Sequence, residues 1–263
     1  MISESGLQII RPDVSVALER RKIQLEDLSR DETTLFRSLI ARVSNLVGVQ
    51  IKALEDFAPI DQVLVDQALF EADRAVPWHS LVGFMSNALS NDALWHPTES
   101  ALEVHGHSGW TRQVARILQG DAMDVSSELT PLLVSAIQLI WMQSAVYAPV
   151  HDAAESHLCP LCLGLPVASL RVRGERLDAG RYFSCGLCST IWSRPRLGCA
   201  LCGDVQSQIL LSSSSDGESV QLEVCQACNV YVKRFDYLPE KPIDPLARDL
   251  ATLGLDLLAS EQD

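Results

Sequence analysis

All eight cysteines of this 263-residue chain fall in four Cys-x-x-Cys pairs: Cys159/Cys162, Cys185/Cys188, Cys199/Cys202 and Cys225/Cys228. The pairs form two units of one spacing, in which a Cys-x-x-Cys is followed by 22 residues and a second Cys-x-x-Cys. Adding 40 to each cysteine number of the first unit gives the second. Two such knuckles supply the four thiolates of a tetrahedral metal site. A segment this short buries too little apolar surface to fold alone, so a metal must supply the difference. Structural zinc supplies about 10–16 kcal/mol of apparent binding energy, coupled directly to folding. The pattern therefore predicts two metal ribbons in tandem, each ion held by the four cysteines of its own unit. A cross-braced arrangement, first knuckle with third and second with fourth, is the alternative.

The same cysteines would also suit a disulfide framework. Against it, the first 158 residues hold no cysteine, and Met1–Arg11 has neither a basic start nor a long apolar run. A reducing, cytoplasmic location is the expectation.

Charge narrows the range of partners. The formal net charge is −13. Residues 1–158 hold 11 Lys/Arg against 21 Asp/Glu, residues 159–241 hold 9 against 8, and residues 242–263 hold 1 against 5. Phosphate recognition rests on basic surface, so nucleic acid is not expected as a partner. Arg171, Arg173, Arg176, Arg181, Arg194 and Arg196 make a local exception, read as a solvated hairpin face in preference to a binding patch.

The N-terminal half reads as helical. Ser29–Asp31–Glu32 resembles a helix start, followed by an apolar stripe of Phe36, Leu39, Ile40, Val43, Val47, Ile51 and Leu54 up to Pro59. A second helix is expected over 63–75, ended by Pro77. Beyond Gly106 and Gly109, a short helix is expected over Trp110–Leu118, closed by Gly120. Leu129–Val150 contains no charged residue and is long enough to span a bilayer. Pro131, Ser135, Gln138, Gln143, Ser144 and Pro149 interrupt it and no basic cluster flanks it, so a buried core helix is expected, with Trp141 and Tyr147 inside.

Each 22-residue spacer reads as an antiparallel hairpin: Val167–Val172 with Tyr182–Ser184, and Ile209–Leu211 with Val220–Val224. Gly203 follows its knuckle directly and allows a tight turn, whereas Leu163–Gly164 suggests a turn displaced by one residue. Ile191-Trp192 and Tyr231-Val232 follow as strands. Asp244–Ser260 predicts one docked helix, with Asp244 as cap, Pro245 in the first turn, and Leu246, Leu250, Leu253, Leu257 and Leu258 on one face. The organisation expected is an all-helical domain over 1–155, ribbon modules over 156–197 and 198–241, and a docking helix over 242–263.

These motifs resemble the FdhE family, accessory proteins required for maturation of respiratory formate dehydrogenases. The matching text is Cys159-Pro160-Leu161-Cys162 with Pro166-Val167-Ala168-Ser169, and Arg181-Tyr182 before Cys185-x-x-Cys188 with Trp192 beyond. It continues through Cys199-x-x-Cys202-Gly203, Cys225-x-x-Cys228 with Tyr231-Val232-Lys233, and Asp249–Leu258. The helical half fits in length and class, and Leu163 departs from the glycine the family more often carries. The resemblance implies a helical domain and two rubredoxin-like modules. It also implies a cytoplasmic protein that binds the catalytic subunit of formate dehydrogenase before twin-arginine export. It favours iron, although zinc fits the same ligands. Homodimerisation is left open.

Three classes follow: a client-binding maturation factor, a rubredoxin-like one-electron carrier active in metalloenzyme assembly, and a zinc-ribbon protein for nucleic acid. The acidic chain disfavours the third, and the resemblance favours the first. No Gly-x-Ser-x-Gly, Gly-x-Gly-x-x-Gly or Walker loop is present, so no enzymatic activity is expected. His105-x-His107 is a weak metal candidate. His157, two residues before Cys159, is a stand-in ligand that neither unit needs.

Overall fold

The uncharged stretch after Leu129 forms the central helix of the N-terminal region. In this computed structural model, residues 7–31, 34–57, 78–92, 95–119, 125–151, 157–172, 180–195, 197–212, 220–238 and 240–260 are described. Five helices precede the ribbons: α1 (Val14–Arg30), α2 (Arg37–Asp56), α3 (Trp78–Leu89), α4 (His96–Gln119) and α5 (Thr130–Tyr147). Helix α5 is buried around most of its circumference, through Leu132, Leu133, Ala136, Ile137, Leu139, Ile140, Trp141 and Met142. An all-round apolar helix needs neighbours on every side, and α2, α3 and α4 supply them. No described helix is long and apolar enough to cross a membrane. Trp141 is buried as expected, but Tyr147 lies at the helix end and is 56% exposed.

Ser29–Asp31 closes a helix where the sequence suggested that it opens one. Helix α1 starts at Asp13, whose side chain accepts from the Val16 amide at 3.2 Å, and ends with the Asp31 amide on the Asp27 carbonyl. Its buried face is narrow, made of Leu18, Arg21 and Leu25. The apolar stripe beyond it begins later than predicted. Ile40 and Val47 are buried in α2, with Val43, Ile51 and Leu54 packed beside them, while Phe36 and Leu39 are exposed. Helix α4 is kinked at Gly106 (φ 59, ψ 177), so the expected Trp110–Leu118 helix is its second half. The helix expected over 63–75, its flanking Pro59 and Pro77, and Gly120 lie outside the described residues.

The ribbons contribute β2 (Pro166–Val172), β3 (Arg181–Cys185), β4 (Ile191–Arg194), β5 (Gln208–Ser212), β6 (Gln221–Cys225) and β7 (Val230–Tyr237). Both predicted hairpins form, with Leu170 opposite Tyr182 and Leu211 opposite Leu222. Their tips, around 174–179 and 213–217, lie outside the described residues. The two units share one seven-stranded sheet of order β1-β4-β3-β2-β7-β6-β5. The join is a parallel pairing of β2 with β7, placing Leu170 beside Phe235.

Strand β1 (Ile9–Ile10) comes from the N-terminal region and pairs with β4, Ile9 opposite Trp192, so that region is not wholly helical. Gln8 extends the join, since its carbonyl accepts from the Ser193 amide and its side chain accepts from the Tyr182 hydroxyl. Arg11 then donates to the carbonyls of Ala145 and Ala148, completing the C-terminal end of α5.

The C-terminal helix is two helices, α6 (Pro245–Ala251) and α7 (Leu253–Ser260), where one was expected. The Thr252 hydroxyl donates to the carbonyls of Arg248 and Asp249, a local competition that ends α6. Asp244 caps α6 as predicted, accepting from the Ala247 amide at 2.9 Å. Ala247 is fully buried and Leu250 touches the main core, but Leu257 is 57% exposed, so the leucine face is not continuous.

Candidate metal centres

Four residues with positive φ repeat the cysteine spacing. Leu163 (φ 58), Ser189 (φ 60), Gly203 (φ 74) and Asn229 (φ 53) each follow the second cysteine of a knuckle directly. The left-handed residue folds the chain back on itself. The Leu163 amide thus donates to the Cys159 carbonyl at 2.9 Å and the Gly203 amide to the Cys199 carbonyl at 3.3 Å. The Cys159 amide then donates to the Gly164 carbonyl, as the Cys199 amide does to Asp204. The first-knuckle turn is therefore not displaced, because Leu163 takes the left-handed position itself. Gly164 is needed for a different reason: a Cβ there would lie 3.2 Å from the sulfurs of both Cys162 and Cys185.

The knuckles converge in pairs. Cys159, Cys162, Cys185 and Cys188 form one group and Cys199, Cys202, Cys225 and Cys228 the other, with the sulfurs of each group within 4.8 Å of one another. This is the uncrossed arrangement. The sulfur–sulfur distances are 3.6 Å (Cys159–Cys188), 3.5 Å (Cys162–Cys185), 3.6 Å (Cys199–Cys228) and 3.7 Å (Cys202–Cys225), and all eight thiols are free. Four thiolates about 2.3 Å from a central ion make a tetrahedron with edges of about 3.8 Å. These four separations lie close to that figure and the others are within 4.8 Å, so each group can hold a metal ion.

Backbone amides face the sulfurs. Leu187 and Cys188 approach Cys185 at 3.4 and 3.5 Å, and Leu201 and Cys202 approach Cys199 at 3.3 and 3.5 Å. Such amides stabilise thiolate charge. In the second group, burial raises the Cys225 thiol, but the amides of Cys228 and Ala227 together with the Cys199 and Cys202 side chains outweigh it and bring it to about 7. Burial and the neighbouring thiols push Cys228 up to about 12.

The surroundings differ. The first group lies in the main core with Leu161, Phe183 and Trp192. The helical region grips its knuckles directly. The Gln138 side chain donates to the Gly186 carbonyl at 2.9 Å, the His151 amide donates to the Pro160 carbonyl at 2.8 Å, and Arg21 donates to the Ser189 hydroxyl at 2.8 Å. Arg21 also pairs with Asp244, so one buried guanidinium ties this knuckle to the cap of α6.

The second group is gripped from the first ribbon. Arg181 donates to the Gly198 carbonyl at 2.6 Å and pairs with Glu223, two residues before Cys225. Arg194 donates to His157 Nδ1 at 2.6 Å. An arginine can only donate, so the proton of the neutral imidazole is on Nε2, the atom beside Gly203. Burial and then the charges of Arg194 and Arg181 hold the His157 pKa below its ordinary value.

Several sequence candidates change role here. Arg181 is buried and Arg194 serves His157, so these two are connectors and not a solvated hairpin face, whereas Arg171 pairs with Asp236 at the partly exposed surface. Arg173, Arg176 and Arg196 lie outside the described residues. His157 approaches the second knuckle without joining a ligand group. His105 and His107 belong to no cluster of three metal-ligating side chains among the described residues, and His107 stacks on His79 at 4.5 Å. Arg21, Gln138 and Glu223 carried no sequence signal, since each is recognised only by what it reaches.

Gly203 and Leu163 test the turn geometry in opposite directions. An alanine Cβ at Gly203 would meet His157 Nε2 at 2.5 Å, on a backbone that costs a side chain about 1–2 kcal/mol. Gly203→Ala should therefore lower stability and second-site metal retention. Adding His157→Ala should recover the steric part and leave the backbone cost. Leu163→Gly should be neutral or stabilising by up to about 1 kcal/mol, because relieved strain outweighs unfolded-state entropy. Denaturant unfolding and metal content of the three variants would measure this, and a Gly203→Ala variant as stable as the parent would refute it.

Comparison with known proteins places these centres in a familiar setting. Residues 158–196 match the family model for the central domain of FdhE, and residues 197–263 match that for the FdhE C-terminal domain. A protein FdhE homolog of Stutzerimonas stutzeri is 34% identical over 151 residues, which cover 56% of this chain and 49% of that protein. One of Pectobacterium atrosepticum is 27% identical over 204 residues, covering 75% of this chain and 65% of that protein. The matches thus span about half to two thirds of these relatives. The crystal structure of the FdhE protein from Pseudomonas aeruginosa superposes with a TM-score of 0.77, covering 97% of this chain and 94% of that one at 21% identity. It shares the fold.

Proposed function

The chain belongs to the FdhE family, and on that premise we propose that it is an accessory protein for formate dehydrogenase maturation. It binds the catalytic subunit of a respiratory formate dehydrogenase in the cytoplasm, before export, and turns over no substrate of its own. The match of residues 158–263 to both FdhE domain families, with all eight cysteines inside it, carries this reading. The eight cysteines then hold two metal ions, one per unit, iron being the metal that the family resemblance favours.

The acidic surface supports it further. A net charge of −13 attracts a basic partner segment, including a twin-arginine leader, by a long-range field that weakens with salt. A redox carrier is the second reading, favoured by the exposed Cys202 at one edge of the second group. Reversible cycling at a measurable potential in anaerobically prepared iron protein would promote that reading.

Deleting the gene should abolish respiratory formate dehydrogenase activity while other twin-arginine-exported molybdoenzymes keep theirs. Affinity capture of the tagged full chain should recover the catalytic subunit, with yield falling as salt rises. Full activity in the deletion strain, or capture of RNA in place of the subunit, would defeat the proposal.

A further inference from the structure

The two cysteine groups have the same spacing and very different access. Cys159, Cys185 and Cys188 are fully buried, within the same apolar cluster as Trp192, Leu161 and the helical core, and Cys162 is partly buried against it. In the second group Cys199 and Cys225 are buried, but Cys202 is exposed and Cys228 half-buried. None of its four cysteines belongs to either apolar cluster among the described residues, Ala200 of its knuckle being the point that touches the main one, and its neighbours Leu197 and Val205 are 75% and 60% exposed.

The supports differ in the same sense. Three of the first group's four cysteines are part of the core, and Cys162 packs against it. The second is braced by contacts that need no metal. Arg181 holds the Gly198 carbonyl and Glu223, His157 abuts Gly203, and β7 is paired in register along β2. The Asp204 side chain also accepts from the amides of Ser207 and Gln206, fixing the loop between the knuckle and β5.

We propose that the two centres are functionally unequal: Cys159/Cys162/Cys185/Cys188 is a closed folding centre, and Cys199/Cys202/Cys225/Cys228 is a preorganised centre that exchanges its metal, entered at Cys202. This rests on the reading that both groups hold metal. The exchange is a ligand substitution without change of oxidation state. A soft incoming donor, thiolate or nitrogen chelator, forms a bond to the ion as the Cys202 sulfur–metal bond breaks, and the released thiolate takes a proton from water. Repetition at the remaining sulfurs transfers the ion and leaves a braced, refillable pocket. The chemistry suits metal delivery to, or acceptance from, another soft-donor site.

The test uses the full chain loaded with zinc and challenged with the chromophoric chelator pyridylazoresorcinol. One equivalent should leave at least about tenfold faster than the other, because a buried centre is reached only through an opening of the core. The circular dichroism spectrum should stay unchanged while the first equivalent leaves. Iodoacetamide added with the chelator should label the peptides of Cys199–Cys228 first, the thiolate sulfur displacing iodide. Cys202→Ser should abolish the fast phase and keep the slow equivalent, and the labelling order in the unaltered chain gives the same information should that variant fold poorly. Fewer than two zinc ions per loaded chain would overturn the metal reading beneath this inference. Two ions released at one rate, first labelling at Cys159–Cys188, or loss of the native spectrum with the first ion would overturn the inequality itself.

Discussion

Serine at both Cys159 and Cys162 is expected to cost the chain both metals and its native fold, whereas serine at both Cys199 and Cys202 should cost one metal and leave the helical core intact. Identical spacing would suggest equal outcomes. The difference follows from where each centre sits. A structural thiolate site is worth about 10–16 kcal/mol, which matches or exceeds the whole stability of a typical domain, about 5–15 kcal/mol. The first centre lies in the main core, where Cys159 and Cys185 pack among Trp192, Phe183 and the helices. Its loss removes a core component and, through Arg181 and Arg194, the brace of the second centre. The second centre touches that core only through Ala200 of its knuckle and has its Cys202 edge outside, so its loss frees mainly one edge of the sheet. Metal content and far-ultraviolet circular dichroism of the two double variants measure the contrast. A Cys159→Ser/Cys162→Ser protein that keeps one metal and a native spectrum would show the ribbons to be independent.

The two four-cysteine groups were legible because the geometry of a tetrahedral thiolate site dictates sequence spacing. A knuckle needs Cys-x-x-Cys, and a hairpin of fixed length brings its partner back. The hairpin strands followed from alternation, and α5 from the absence of charge. What stayed hidden depended on partners distant in the chain. Helix α1 buries only Leu18, Arg21 and Leu25, a stripe too narrow to stand out, and its buried arginine makes sense only opposite Asp244 and Ser189. Ser29–Asp31 carries residues that serve either end of a helix, and only the capping bond of Asp13 decides which end they mark. The fusion of the ribbons was out of reach, because a parallel β2–β7 pair has no local signature, unlike a hairpin turn. Leu163 misled for a local reason, since a left-handed leucine next to a glycine assigns the turn to the wrong residue.

Arg181→Met is expected to destabilise the fold by about 3–5 kcal/mol and to loosen the second centre first. The Arg181–Glu223 pair is buried, and removing one partner strands the charge of the other. Glu223 keeps the Ser169 hydroxyl at 3.0 Å and, more distantly, Arg234 at 3.6 Å, which places the loss toward the lower end of that range. Arg181 also covers the Phe183 ring at 4.6 Å, a contact methionine replaces in part. The double variant Arg181→Met/Glu223→Leu should recover part of the stability, because the two most buried charges of this network are removed together, while Arg234 and the buried Ser169 hydroxyl lose Glu223. It should not recover full metal retention, since the bond from Arg181 to the Gly198 carbonyl beside Cys199 is still missing. That separation of stability from retention is the signature of a positioning residue. Denaturant unfolding and chelator competition on the same preparations would resolve it. Retention that tracks stability across both variants would reduce Arg181 to a packing role.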